Sequence, residues 1–161
     1  MRPSSPVKLK TLPALLAVLS GERKAGKKVV FTNGCFDVLH VGHVRYLRAA
    51  RRLGDRLVVG LNSDASVRAL KGAGRPVTHE KDRAEIVGSL ESVDDVVLFS
   101  APTPEGLIRA IRPDFLVKGG DWKTADIAGG PFVESYGGRT VSLAFYKGFS
   151  TTRLIEKIKK L

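Results

Sequence analysis

At 161 residues the chain has the length of one domain able to bury a sizeable core. Its 43% hydrophobic and 27% charged residues are ordinary globular values and exclude disorder as an overall description. The formal charge of +11 calls for an anionic partner (nucleic acid, acidic lipid or a phosphorylated metabolite) or a solvated basic face, and the single cysteine, Cys35, excludes an internal disulfide framework and fits a reducing compartment.

Residues 1–10, with two prolines and two serines, read as a flexible lead, and residues 11–161 as one domain. Arg2, Lys8 and Lys10 precede an apolar stretch from Leu12 to Leu19, which superficially resembles an export signal. Pro13 sits where a helix begins, however, Glu22, Arg23, Lys24, Lys27 and Lys28 follow at once, and no small-x-small cleavage site comes after the stretch. The segment therefore reads as a first amphipathic helix. Nothing else approaches the ~18 uninterrupted apolar residues of a membrane span, so the expected location is the cytoplasm.

Lys28–Thr32 is a short buried-strand run that ends in Asn33-Gly34. A helical pattern follows from about His43 to Leu53, with Val44, Leu47 and Ala50 on one face and Gly54 as a stop. Arg56–Leu61 is the second strand, Lys71–Arg75 a basic glycine-containing loop, and Lys81–Leu90 a helix. Val96–Phe99 is a third strand, Pro104–Ile111 a helix and Phe115–Lys118 a fourth strand. A short helix near Phe132, a strand over Thr140–Ala144 and a helix after Ser150 complete the chain. Apolar strands alternating with helices of about ten residues predict an α/β fold. The expected architecture is a Rossmann-like three-layer sandwich with a five-stranded parallel sheet. Ligands in such sheets sit at the carboxyl ends of the strands, near the switch point. Asn33-Gly34, Asn62-Ser63-Asp64 and Gly119-Gly120-Asp121 all fall at such ends.

The densest chemistry lies in Gly34-Cys-Phe-Asp-Val-Leu-His-Val-Gly-His43. Gly42 lets a phosphate approach backbone with no Cβ in the way, and a helix start supplies unpaired N–H groups and partial positive charge. His40 and His43, three residues apart at that spot, can both donate to a pentacoordinate phosphoryl group. The plainer reading is a pair of surface or capping histidines, and an isolated H-x-G-H string is a weak signal. The strand-turn-helix setting favours the functional one. A dedicated zinc site would need three or four ligands, and beyond His79 and Cys35 nothing spaces such a set, so no protein-held metal is assigned. Magnesium carried in by nucleotide phosphates fits better, since it keeps most of its water.

In Gly148-Phe-Ser-Thr-Thr-Arg153 the three hydroxyls of Ser150, Thr151 and Thr152 open the last helix, either as plain capping or as a phosphate cradle. Val117-Lys-Gly-Gly-Asp-Trp122 reads as a simple turn, or as glycine backbone beside a base or ribose with Asp121 accepting from ribose hydroxyls. Lys71-Gly-Ala-Gly-Arg-Pro76 reads as a solvated basic loop or a phosphate holder. Cys35 has no dedicated base by spacing and reads as a packed, inert thiol. Arg45, Arg48, Arg51 and Arg52 suggest a nucleic-acid module as a non-enzyme rival, but no matching motif accompanies them, and they also fit the solvated face opposite Val44 and Leu47.

On these motifs the chain resembles the cytidylyltransferase-like H-x-G-H nucleotidyltransferases: Phe31–Ala50 matches their first signature and Gly148–Arg153 their second. Within them Leu47–Asp55, Gly60–Asp64, Arg75-Pro76, Val117–Asp121 and the Ser-Thr-Thr segment are similar to the adenylyltransferase domain of bacterial ADP-heptose synthases. The similarity runs from about Lys28 to Ile158. It implies transfer of AMP from ATP to D-glycero-D-manno-heptose 1-phosphate for lipopolysaccharide core synthesis, with Mg²⁺ carried by ATP. A stand-alone form lacking the sugar kinase that many such proteins carry is implied, and homodimers are expected because related enzymes are commonly dimers. No nucleic acid or membrane partner is expected. The resemblance implies His40 and His43 at the α-phosphate and leaving side, with backbone N–H groups near Phe36 and Gly42 seating phosphates. Ser150, Thr151 and Thr152 are implied at the β- and γ-phosphates, and Lys118, Gly119, Gly120 and Asp121 at the nucleoside. Lys71 and Arg75 are implied against phosphate charge, and Asp37 near the acceptor. A cytidylyltransferase acting on glycerol phosphate or a related ester shares the same motifs and stands as the alternative.

Overall fold

The computed structural model describes residues 8–120, 122–144 and 146–161. Helix α1 (Leu12–Lys24) starts where Thr11 accepts a hydrogen bond from the Ala14 amide at 3.4 Å, with proline in the first turn, where a missing N–H costs nothing. Then come β1 (Val29–Gly34), α2 (Val41–Arg51), β2 (Arg56–Asn62), α3 (Asp64–Lys71) and α4 (Glu80–Gly88). The chain continues through β3 (Asp95–Phe99), α5 (Glu105–Ile111), β4 (Phe115–Gly119), a 3₁₀ turn (Thr124–Asp126), α6 (Gly130–Ser135), β5 (Arg139–Leu143) and α7 (Thr151–Ile158).

The five strands form one parallel sheet in the order β3-β2-β1-β4-β5. Both faces are covered, which explains the nearly continuous apolar runs of β1 and β2. One layer holds Leu15 and Leu19 of α1 with Ile108 and Ile111 of α5 and Val133 of α6. The other holds Leu47 and Ala50 of α2 with Ala84 and Val87 of α4. The expected three-layer sandwich is thus the one observed.

The order reverses between β1 and β4, which makes their carboxyl ends the switch point. Those two strands pair only through Val30↔Phe115 and Phe31↔Leu116, whereas β1 and β2 pair along six residues. Beyond Phe31 the gap is bridged by Tyr46 of α2, whose hydroxyl lies 2.7 Å from Thr32 Oγ1 and donates to the Val117 carbonyl at 3.3 Å. Burial pushes the phenol up to about 12, with the Thr32 bond opposing, so the hydroxyl stays protonated and able to donate at physiological pH.

Three local features differ from the sequence expectation. Residues 8–10, counted there with the lead, are tied to the sheet edge: the Lys10 amide donates to Val96 O at 2.9 Å, the Val96 amide to Lys8 O at 2.8 Å, and Lys10 Nζ reaches Asp95 at 2.6 Å. Helix α2 begins at Val41, two residues early, because His40 already has the extended backbone of an N-cap. Helix α3, a stretch to which the sequence reading assigned no element, is set up by Ser63, which accepts from the Ser66 amide at 3.2 Å.

Candidate functional site

The open switch point forms a cavity of about 890 Å³, a size suited to a nucleotide-sized ligand. The β1–α2 loop lines it with Phe36, Asp37 and His40, and the first turn of α2 with Gly42 and His43. Lys71 and Arg75, Ser150, Thr151 and Thr152, and Lys118 and Gly119 from the end of β4 also line it. Gly120 is not among the described residues that line the cavity. It is buried, its φ is +111°, and its amide donates to Leu143 O at 2.8 Å, so it continues the β4–β5 pairing one step beyond Gly119. Asp121 lies outside the described residues.

Helix α2 points its N-terminus into this space, with His40 at the cap and His43 in its first turn. The two imidazoles stack with centroids 3.8 Å apart and planes 20° from parallel, and Phe149 adds a third, looser layer 6.3 Å from His40. His43 Nδ1 accepts the His40 amide at 3.4 Å, which puts the proton of the neutral ring on Nε2 and leaves that nitrogen as a donor. Burial, with help from the adjacent His40, lowers the His43 pKa to about 4, and burial lowers that of His40 as well. In the free protein at neutral pH both rings are uncharged. His40 Nδ1 is buried without a protein partner. It is shut off from solvent against the first turn of its own helix, beside Gly42 and in capping position toward the His43 amide.

Gly42 cannot be replaced without consequence. A Cβ there would stand 2.9 Å from His40 Nδ1 and 3.0 Å from Phe149 Cβ. Phe36 buries its ring edge-on to His43 at 5.3 Å between centroids, and holds φ at +44°, a left-handed conformation rare for a bulky residue.

Ser150 caps α7 by accepting from the Arg153 amide at 3.4 Å, while Thr151 Oγ1 donates to Val38 O at 3.1 Å. The hydroxyl run and the histidine loop are therefore tied together directly. Burial lowers the pKa of Lys118, which lines the same space. Burial likewise pushes the Cys35 thiol up, against the pull of Lys71, Arg83 and Arg75, so the cysteine in the cavity is a thiol rather than a nucleophilic thiolate.

Asp37 is occupied within the protein. Its carboxylate takes Arg75 Nε at 2.5 Å and the amides of Val77 and Thr78 at 2.8–2.9 Å. Burial pushes its pKa up, but the Thr78 and Val77 amides and Arg75 outweigh it and hold the group below the usual carboxylate range. Arg75 is thus both a cavity cation and one half of a buried ion pair.

Sequence reasoning missed Tyr46, Phe149 and Arg83. Tyr46 sits one turn after the H-x-G-H string, and Phe149 lies within the second motif, so position alone offered a signal for both. Arg83 carried none: a lone arginine in a polar helix is ordinary. The arginines of α2 do not make one free basic face. Arg45 lies over the Tyr146 and Phe149 rings at 5.6 and 5.7 Å, and Arg51 binds Asp94 at 2.9 Å and the Gly54 carbonyl at 2.6 Å. Among the described residues no group of three or more His, Cys, Asp or Glu could hold a metal ion, and no helix is long and apolar enough to cross a membrane.

Comparison with known proteins matches residues 31–157 to the cytidylyltransferase-like family. The bifunctional protein HldE of Geotalea uraniireducens is 55% identical over 157 residues, covering 98% of this chain and 32% of the relative. HldE of Geobacter sulfurreducens is 54% identical over 153 residues, covering 95% of this chain and 31% of the relative. The chain therefore spans about a third of the length of these relatives. The crystal structure of the lipopolysaccharide core biosynthesis protein from Thermoplasma volcanium superposes with a TM-score of 0.63 at 26% identity, covering 77% of this chain and all of that one. The parallel sheet with its switch-point cavity, the paired histidines at a helix head and the family match over most of its length together place this chain in the cytidylyltransferase-like family.

Proposed function

We propose that the chain transfers AMP from ATP to D-glycero-D-manno-heptose 1-phosphate, forming ADP-heptose and pyrophosphate for lipopolysaccharide core synthesis in the cytoplasm. The observation that carries the nucleotidyl-transfer part is the pair of stacked, neutral imidazoles at the N-terminus of α2, lining a nucleotide-sized cavity. The choice of sugar rests on the HldE relatives and on the motifs shared with ADP-heptose synthases.

In this reading a sugar-phosphate oxygen attacks the α-phosphorus in line. The new O–Pα bond forms as the bond from Pα to the bridging oxygen breaks, and pyrophosphate leaves with the electron pair. The attacking phosphate is already anionic, so no protein base and no covalent enzyme intermediate is required. The protein contributes placement and charge stabilisation. His40 and His43 donate to the α-phosphate and the leaving oxygen, joined by the amides of Phe36 and Gly42. Ser150, Thr151 and Thr152 take the β- and γ-phosphates, while Lys118 and Gly119 lie along the nucleoside, with Asp121 assigned to the ribose. Gly120 acts by shaping the backbone where the chain leaves β4. Lys71 and Arg75 offset phosphate charge. Asp37 acts on the acceptor side by holding Arg75 rather than by touching sugar. Mg²⁺ enters with the triphosphate, consistent with a metal held chiefly by phosphate oxygens and water.

The test is to supply Mg²⁺, each NTP in turn and either anomer of heptose 1-phosphate, and to follow pyrophosphate release. Release with ATP and one anomer supports the proposal. Release with CTP and glycerol phosphate would retain the chemistry and replace the substrates. No release with any nucleotide and acceptor would refute it.

A further inference from the structure

Arg83, on α4, lies outside every motif yet has a fully buried side chain. Its guanidinium is divided among three segments: Nη1 donates to Cys35 O at 2.6 Å, Nε to Thr78 O at 2.9 Å, and Nη2 to Asp64 Oδ1 at 2.8 Å. These acceptors belong to the histidine loop, the segment after the basic loop, and the first turn of α3.

The Cys35 bond matters most. A trans peptide is planar, with its C=O and N–H pointing in opposite directions. The Cys35 carbonyl and the Phe36 amide belong to one such plane. A guanidinium that pulls the carbonyl toward the core therefore turns the Phe36 N–H the other way, toward the cavity that Cys35 and Phe36 line. Phe36 keeps its unfavourable φ of +44° in this arrangement, and its ring bears on His43. The Thr78 bond works in concert. Asp37 holds the Val77 and Thr78 amides from one side while Arg83 holds the Thr78 carbonyl from the other, which fixes the stretch carrying Arg75 against the histidine loop.

We infer that Arg83 is a positioning residue for nucleotidyl transfer: it fixes the Cys35–Phe36 peptide so that the Phe36 amide faces the nucleotide phosphates, and it locks the Arg75 segment in place. The inference rests on the functional reading above. Lysine cannot replace the fork, because one ammonium on a flexible stem does not span three acceptors set in different directions. A purely structural staple would lower stability and leave the cavity amide as it was.

The test uses amide NMR of the full chain with Mg²⁺ and the non-hydrolysable analogue α,β-methylene-ATP, together with steady-state rates. In the wild-type protein the Phe36 amide resonance is expected to shift on binding, along with those of His43 and Ser150. In Arg83→Lys that shift is expected to be lost, with kcat lowered about 10²-fold, the loss associated with a single preorganised donor, and KM for ATP changed less than 5-fold. Should Arg83→Lys fail to fold, the wild-type spectrum still decides. A Phe36 resonance unmoved while His43 and Ser150 respond would overturn this inference alone. A folded Arg83→Lys with native kcat and a native Phe36 shift would overturn it too. A spectrum in which no resonance responds to any nucleotide would instead overturn the functional reading itself.

Discussion

Replacing Gly42 with alanine separates geometry at the site from stability of the fold. Gly42 lies in the first turn of α2, where alanine is a better helix former than glycine by about 1 kcal/mol. Against that gain, the new methyl would stand 2.9 Å from His40 Nδ1, 3.0 Å from His40 Cε1 and 3.0 Å from Phe149 Cβ. Favourable carbon contacts lie near ~3.5–4.0 Å, so the His40 ring must retreat by roughly 0.5 Å. Overpacking of this kind costs about 1–3 kcal/mol, leaving a net destabilisation of no more than about 2 kcal/mol once the helix gain is counted. A misplacement of about 1 Å at a reacting centre lowers rate by about 10²-fold, so half of that corresponds to about 10-fold in kcat. The assay pairs initial rates of pyrophosphate release with thermal unfolding. Gly42→Ala is expected to keep its melting temperature within a few degrees while kcat falls about 10-fold. Gly54→Ala serves as the contrast, because its methyl would meet the Lys28 backbone oxygen at 2.8 Å, away from the cavity, so stability falls and kcat holds. Native kcat and KM in Gly42→Ala would refute the placement of His40 at the reacting phosphate.

His40→Ala and His43→Ala are each expected to lower kcat by about 10²–10³-fold, the usual loss for one preorganised donor, with far-UV circular dichroism unchanged. Wild-type rates in both would remove the histidines from the mechanism. His43 also makes stability depend on pH. Its folded pKa of about 4 lies below the ordinary 6.5, so the unfolded chain binds the extra proton between those values. Stability is therefore complete above pH 6.5 and falls as pH drops toward 4, by about 1–2 kcal/mol once partial exposure is discounted. Melting curves at pH 7, 5.5 and 4.5 should show that slope in the wild type and a shallower one in His43→Asn, and equal slopes would contradict it. Asp37→Asn leaves Arg75 without its charge partner and sets an NH₂ donor against the Arg75 Nε donor, while the amide oxygen can still accept from Val77 and Thr78. It should destabilise by about 3 kcal/mol or more, as breaking a buried pair does, and raise KM for the acceptor more than for ATP. Equal effects on both KM values would argue against an acceptor-side role.

The sheet was legible in the sequence because strands covered on both faces are written as short apolar runs, as in Val29–Phe31 and Leu57–Val59, and because helices of a different period separate them. The histidine loop and the hydroxyl run were legible as local motifs that sheet topology brings together. Helix α3 was not. Among its eight residues only Ser66 and Val67 are buried, too few to mark a helix by a run of apolar positions, and its start is set by the Ser63 cap. The commitments of Asp37 and Arg83 were equally hidden. The partners of Asp37 lie 38 to 41 positions away along the chain and the Cys35 carbonyl lies 48 from Arg83, and no local spacing records that a carboxylate is already satisfied or that a guanidinium is buried.

The most direct measurement follows where the α-phosphate goes. The chain is incubated with Mg²⁺, heptose 1-phosphate and ATP labelled at either the α- or the γ-phosphorus, and the products are separated. Label from the α-position should appear in ADP-heptose and label from the γ-position in pyrophosphate, with both signals depressed in His40→Ala. Transfer of γ-label to the sugar, or α-label recovered only in unreacted ATP or free AMP, would contradict nucleotidyl transfer at this site.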